Sequence, residues 1–334
     1  MRPFVSIIIP TKNAAEHLDE CLSSIGMLAY PSDARETIIV DGGSTDGTKL
    51  IAEKHGATVI EGSAEGPTFA RFQGVQRSKG SIVAFTDADA IVDAEWLTNA
   101  VRILQEEPNV TGVGGAVLHP PQGAFASATQ VIFDAMAGAG ISNDAADLSA
   151  RKTVQKIGSS NFIIRIDALR ALLPWTWKGY GGDLVLSNAI RSNGGTLVQD
   201  PCVIVKHYKR STPYSLFVEM AKWGHGRSKM TMAFADKAFV HLAVGFSLPL
   251  ALIVVPALIM AAGTGWIPWA AGIAAVPLVT FACWAARRKR SALVALLFPV
   301  AVIAMACGWS VGFTAGRILR LSETLAGGRA GTAK

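Results

Sequence analysis

Asp87 and Asp89 stand one residue apart, directly after the apolar run Ile82–Phe85. Two carboxylates at that spacing can hold one hard divalent cation, Mn2+ or Mg2+, and such a cation neutralises phosphate oxygens. Taken alone, the pattern fits a solvated turn better. Its weight comes from Asp41, which closes a second apolar run, Thr37–Val40, in the same way. His207, shortly after Val203–Val205, is either a third metal ligand or a structural residue. Trp175, Trp177 and Tyr180 lie in a Gly/aromatic stretch, and either stack on a sugar ring or pack in a core. Lys222, His225 and Arg227 interleave with Leu216, Phe217, Met220 and Trp223. They suit a diphosphate, a lipid phosphate or anionic headgroups.

Regular elements must place these residues. Phe4–Ile9 is a continuous apolar run ended by Pro10, the pattern of a strand buried on both faces. Leu18, Cys21, Leu22 and Ile25 then repeat at helical spacing along one face. Thr37–Val40, Ala57–Ile60, Ser81–Phe85 and Val110–Leu118 read as further strands. Helices are expected from a Ser44 or Thr45 cap to about His55, and over Gly66–Arg77 and Glu95–Gln105. The alternation predicts an α/β domain built of βαβ units, with a mostly parallel sheet flanked by helices. Such sheets bind ligands beyond the carboxyl ends of their strands, where Asp41, Asp87 and Asp89 fall.

After Pro120-Pro121 the pattern changes. Residues 122–150 are Ala/Gly-rich and weakly helical, the look of an inserted element. Lys156–Ile166 is strand-like, and Trp175–Asp183 leads into a helix around Leu184–Ser192. Thr196–Val198 and Val203–Val205 read as short strands. Ser215–Phe234 is expected to be an interfacial helix lying on a membrane.

Charge divides the 334 residues sharply. Residues 1–237 hold 23 Lys+Arg and 24 Asp+Glu, whereas residues 238–334 hold 8 and 1. No charged residue occurs between Ala238 and Ala286 or between Ser291 and Gly316. A chain soluble throughout is excluded, and the basic excess is no sign of a nucleic-acid partner. A membrane helix needs about 20 apolar residues, and Phe239–Gly263, Trp266–Ala286 and about Ala292–Gly316 each qualify. Pro299 offers the third run an alternative as a re-entrant hairpin. The cluster Arg287–Arg290 is expected on the cytoplasmic side, which places residues 1–237 there too. No signal peptide is expected before the first strand. Cys21, Cys202, Cys283 and Cys307 show no paired spacing and read as buried thiols in a reducing compartment. The expected division is a cytoplasmic catalytic domain (1–210), an amphipathic segment (211–237), a multi-pass region of about three helices in the inner membrane (238–320) and a tail (321–334).

Val5–Asn13, Val40–Thr48, Ala70-Arg71 and Gly80–Asp89 occur in an order and spacing that resemble the family 2 glycosyltransferases with the GT-A fold. The C-terminal layout is similar to that of membrane-attached bacterial enzymes of succinoglycan-type exopolysaccharide assembly. The resemblance implies that Pro10, Thr11 and Asn13 line the nucleotide base and ribose. Asp41 would accept a hydrogen bond from the base, as expected for uracil, and Arg71 would sit near the base or diphosphate. Asp87 would face the ribose and metal, with Asp89 as the direct metal ligand. Asp183 would be the catalytic base, although its position also suits a helix cap. Two residues depart from the family's pattern: Phe72 stands in place of Asn, and Gly182 stands where Glu or Thr precedes the Asp. The implied function is metal-dependent, inverting transfer of a sugar from a nucleotide-sugar, UDP-sugars first, to a lipid-linked acceptor. That acceptor is a polyprenyl phosphate or a diphosphate-linked glycan, with membrane lipids as further partners. The competing readings are a nucleotidyltransferase, for which Pro10–Asn13 supplies no phosphate loop, and a non-catalytic scaffold.

Overall fold

The computed structural model describes residues 2–63, 65–120, 123–138, 149–230 and 291–330. The described residues divide into two compact units, one drawn from 1–120 and 142–208 and the other from 121–141 and 209–334.

The first unit is a mixed sheet between helices. Its strands are β1 (Val5–Thr11), β2 (Arg35–Asp41), β3 (Thr58–Glu61), β4 (Ile82–Phe85), β5 (Ala90–Val92), β6 (Val110–Leu118), β7 (Lys152–Thr153), β8 (Phe162–Arg165) and β9 (Thr196–His207). They run in the order β3-β2-β1-β4-β8-β6-β9-β5, with β7 beside β9. The first four are mutually parallel, as the βαβ pattern predicts. β8 enters antiparallel to both β4 and β6, and β5 is antiparallel to β9. The two short strands expected near residues 196 and 205 are one strand, whose pairing with β6 shifts between Gly115 and Ala116. Gly115 permits that shift, because a Cβ there would lie 1.9 Å from the Val203 carbonyl oxygen.

Side-chain alternation along β1 sorts the core into two layers. Val5, Ile7 and Ile9 pack with Leu18, Cys21, Leu22 and Ile25 of α1 (Ala15–Gly26) and with Trp96, Leu97 and Leu104 of α4 (Trp96–Glu106). Ile8, on the opposite face, packs with Phe72 and Val75 of α3 (Pro67–Arg77), and with Leu186 and Ile190 of α7 (Gly182–Ser192). The smaller helices are α2 (Thr48–Lys54) and α6 (Ile166–Arg170). Helix α2 starts later than expected, at Thr48, because Ser44 is bonded to Asp41 while Asp46 accepts the Thr48 N–H at 3.0 Å.

The second unit packs α5 (Ala124–Gly138), α8 (Pro213–Met230) and α9 (Ala292–Ala330) around Phe125, Val131, Leu216, Met220, Phe298, Met305 and Trp309. Gly308 and Gly312 bring the α9 backbone against α8, since a Cβ at either would fall about 2 Å from the carbonyl oxygen of Phe217 or Ala221. Helix α9 runs through Pro299 without turning back, so the re-entrant alternative is not the observed one. Its segment Ala292–Leu319 is long and apolar enough to cross a membrane, the one such helix among the described residues. The expected spans Phe239–Gly263 and Trp266–Ala286 lie outside those residues.

Candidate functional site

Parallel register carries Thr11 at the end of β1 beside Asp41 at the end of β2. Asp41 is buried, 1% exposed, and its carboxylate organises the loop that follows. The Ser44 hydroxyl donates to it, the Ser44 N–H does so at 3.0 Å, and the Thr11 hydroxyl at 3.3 Å. Lys49 Nζ lies 3.6 Å away. Burial alone would raise the Asp41 pKa, but the two Ser44 bonds, Lys49 and Thr11 together hold it below the ordinary carboxylate value. The carboxylate therefore shapes this wall. Asn13, next to Pro10 and Thr11, adopts the left-handed conformation, φ 50°, which Asn tolerates better than most residues. Its side-chain oxygen accepts the Thr45 N–H at 2.8 Å and its own N–H donates to Ser44 Oγ, so it ties the loops after β1 and β2 together.

The second cluster forms where β4 ends, β5 begins and β9 closes. Antiparallel pairing sets His207 opposite Ala90, and so beside the Asp87–Asp89 turn. His207 Nε2 lies 2.9 Å from Asp89 Oδ1 and 3.7 Å from Asp87 Oδ2. One ligand atom from each of these three residues falls within 4.8 Å of the others. The Arg71 guanidinium donates to Asp87 Oδ1 from a buried position on α3. Arg71 Nε is a buried donor with no partner among the described residues, and such atoms are uncommon unless a ligand completes them. Two carboxylates and an imidazole, with an adjacent unsatisfied guanidinium N–H, fit a divalent cation and an anionic ligand side by side. Tyr208 reinforces the arrangement: its N–H donates to the Asp89 carbonyl oxygen at 3.1 Å, its hydroxyl to Glu20 at 2.7 Å, and its ring stacks on His17. Cys21 lies beneath, its Sγ 3.5 Å from the Asp87 carbonyl oxygen. Burial, with Asp89 and Asp87 nearby, pushes its pKa well up, so it is an inert thiol.

Asp183 sits in the first turn of α7. It is no N-cap, since that position is Gly181 in the left-handed conformation, φ 78°. Its Oδ2 pairs with Lys156 Nζ at 2.9 Å. The Lys156 segment is anchored to the same helix, because the Ile157 N–H donates to Ser187 Oγ at 3.2 Å. In the loop before α7, Trp175 stacks on Phe72 with ring centroids 4.1 Å apart, which commits one indole face to packing. The indole nitrogens of Trp175 and Trp177 are buried without partners among the described residues, and Tyr180 is half-buried. Lys222, His225 and Arg227 belong to α8 in the second unit. Sequence reasoning missed Lys156, Lys49 and Tyr208, and gave Ser44 a helix-cap role where it is bonded to Asp41. Tyr208 adjoins His207 in the sequence, but nothing in the spacing marks Lys156 or Lys49.

Strand-end carboxylates at a topological switch, a buried arginine on one of them and a mixed sheet between helix layers define an α/β domain of the GT-A type. The chain belongs to glycosyl transferase family 2, whose model matches residues 6–172. It is 38% identical over 121 residues to the glycosyltransferase AglE of Haloferax volcanii, covering 34% of this chain and 40% of that protein. It is 30% identical over 141 residues to a dolichyl N-acetyl-α-D-glucosaminyl phosphate 3-β-D-2,3-diacetamido-2,3-dideoxy-β-D-glucuronosyltransferase of Methanococcus voltae, covering 39% and 44%. The chain thus spans less than half the length of these curated relatives. Its fold matches the mannosyltransferase PcManGT of Pyrobaculum calidifontis, solved with GDP-Man and Mn2+, at TM-score 0.60 and 22% identity over 91% of this chain and 87% of that one. Residues 1–349 of S. aureus TarS, solved with UDP-GlcNAc, match at TM-score 0.51 and 18% identity, covering 96% and 92%.

Proposed function

We propose that the protein is a membrane-attached, metal-dependent, inverting glycosyltransferase that moves a sugar from a nucleotide-sugar, UDP-sugars favoured, to a lipid-linked acceptor at the cytoplasmic face of the membrane. The observation that carries this reading is the Asp87–Asp89–His207 cluster with buried Arg71 on Asp87 and its unsatisfied Nε alongside. In this reading Pro10, Thr11, Asn13 and Asp41 enclose the base and ribose. Arg71 orients Asp87 and donates through Nε to the donor. A divalent cation, Mn2+ or Mg2+, held by Asp87, Asp89 and His207 would supply positive charge for the diphosphate. Asp183 takes the proton of the acceptor hydroxyl while that oxygen bonds to the anomeric carbon. The bond from that carbon to the diphosphate breaks, its electron pair leaves with the nucleotide, and the configuration inverts.

Membrane attachment rests on Ala292–Leu319 and on the uncharged stretch Ala238–Ala286 before it. A tethered enzyme meets a tethered acceptor at high effective concentration. Acceptor chemistry is supported by the dolichyl phosphate-linked substrate in the name of the Methanococcus relative. In a second reading the sugar passes from a GDP-sugar to a polyprenyl phosphate. It is favoured by the extent of the likeness to the GDP-Man-bound mannosyltransferase.

The test is thermal stabilisation of the detergent-purified full chain by UDP-, GDP- and CMP-nucleotides, with and without Mn2+ or Mg2+. Metal-dependent stabilisation by UDP supports the first reading, and by GDP the second. Stabilisation by no nucleotide would overturn both and leave the scaffold.

A further inference from the structure

Phe72 and Gly182, the two departures from the family's pattern, lie on one seam. Thr68 and Phe72 are one helical turn apart, so α3 presents both along one face. The loop before α7 docks there. A Cβ on Gly182 would fall 2.2 Å from both Cγ2 and Oγ1 of Thr68, and 2.6 Å from its Cβ. Phe72 meets Trp175 nearly parallel, at an interplanar angle of 3°. At the start of α3 the Gly179 N–H donates to the Glu65 carbonyl oxygen at 2.7 Å, and Lys178 pairs with the Glu65 carboxylate. Space at residue 182 is thus consumed by Thr68, so no longer side chain fits without moving α3 or the loop. The next residue is Asp183. Arg71 leaves the same helix towards Asp87.

We propose that Thr68 and Phe72 are positioning residues. Acting through Gly182 and Trp175, they fix Asp183 relative to Arg71 and the Asp87–Asp89 turn. A packed interlock thereby takes the place of the acidic or hydroxyl side chain that the family carries before its base. The proposal rests on the reading of Asp183 as the base.

The test uses the full chain in nanodiscs doped with undecaprenyl phosphate, reading nucleoside diphosphate release from the UDP- or GDP-sugar whose nucleotide stabilises the protein. Metal-dependent thermal stabilisation by that nucleotide is read in parallel. Gly182→Ala is expected to lower turnover about 10- to 100-fold, the scale of a displacement near 1 Å, and to leave nucleotide stabilisation in place. Adding Thr68→Gly should restore turnover to within about threefold of wild type. Adding Thr68→Ser should not, because its Cβ still stands in the way. Trp175→Leu removes the stack without creating a clash. It should lower kcat about fivefold, with the KM for donor unchanged. Wild-type turnover in Gly182→Ala, or a loss that Thr68→Gly does not relieve, would overturn the interlock. If Gly182→Ala does not fold, wild-type kcat in Trp175→Leu overturns it instead. Failure of the underlying reading looks different: the wild-type protein itself would show no metal-dependent nucleotide stabilisation.

Discussion

The two halves of the candidate site are built by different means. On the proposed donor side, Asp41, Asp87, Asp89 and His207 project from strand ends, and sheet register decides their separations. Their partners are themselves buried or bonded: Arg71 for Asp87, and Ser44 with Thr11 for Asp41. On the proposed acceptor side, Asp183 follows a loop containing Gly179 and Gly181, both at positive φ. Contacts with α3 hold that loop, and a partly buried Lys156 pairs with Asp183 at the start of α7. A sheet fixes geometry through many cooperative hydrogen bonds, whereas a docked loop depends on a few side-chain pairs. The donor side should therefore respond to substitution in binding and stability together, and the acceptor side mainly in turnover.

The hardest test of that contrast pairs Asp89→Ala with Asp183→Asn. Asp89→Ala should abolish metal-dependent nucleotide stabilisation and turnover alike. Asp183→Asn should lower turnover about 10²- to 10⁴-fold, the usual worth of a general base, and leave nucleotide stabilisation intact. Calorimetric titration of nucleotide with Mn2+, beside a turnover assay, checks both. Equal loss of binding in the two variants would erase the distinction between the halves.

Next in size is Arg71→Met. Arg71 is 4% exposed and its partner Asp87 is partly buried. Removing one member of a buried pair costs about 3–5 kcal/mol, because the survivor stays charged and unpaired. Partial exposure of Asp87 reduces this to about 2–3 kcal/mol. Urea unfolding at pH 7 would read the change as a lower midpoint, and the buried-pair account fails if the midpoint stays put.

The same contrast explains what could be read from the sequence. Ile82–Phe85 and Thr37–Val40 announce strands by unbroken apolar runs, and their ends locate Asp87 and Asp41 without any knowledge of contacts. Val110–Leu118 was legible to the residue as well, although Thr111 and three glycines interrupt its apolar residues. The antiparallel entry of β8 was not, because a strand buried on both faces reads alike in either direction. Lys156 was invisible as a partner of Asp183: it precedes that residue by 27 positions, and only the docking of its segment on α7 brings them together. Helix α2 was misplaced at its start because Ser44, a good cap by type, is bonded to Asp41. In the second unit, the spacing of Gly308 and Gly312 gains its meaning only from the helix packed against them.

Acid should weaken the donor side through Asp41. Its folded pKa lies below the ordinary carboxylate value, so its ionised form favours folding. That contribution is complete above the unfolded pKa, about 3.9, and is lost as pH falls through the lower folded value. Asp41→Asn should therefore lower the urea midpoint at pH 7 and narrow the gap between wild type and variant towards pH 2.5. A gap that stays constant with pH would remove the linkage.

The smallest expected effect, and the sharpest for the acceptor side, is that of Lys156→Met. Lys156 and Asp183 are 29% and 21% exposed, so their pair is worth no more than about 1 kcal/mol of stability. Its consequence should lie in the aim of the carboxylate. With the ammonium removed, Asp183 gains rotamer freedom at the head of α7 while Ser187 still anchors the neighbouring Ile157. Turnover should fall about threefold to tenfold with nucleotide stabilisation unchanged, and Lys156→Arg should recover most of it. If Lys156→Met instead weakened nucleotide binding, the donor and acceptor halves would share this lysine, and the division between a sheet-built and a loop-built half would have to be redrawn.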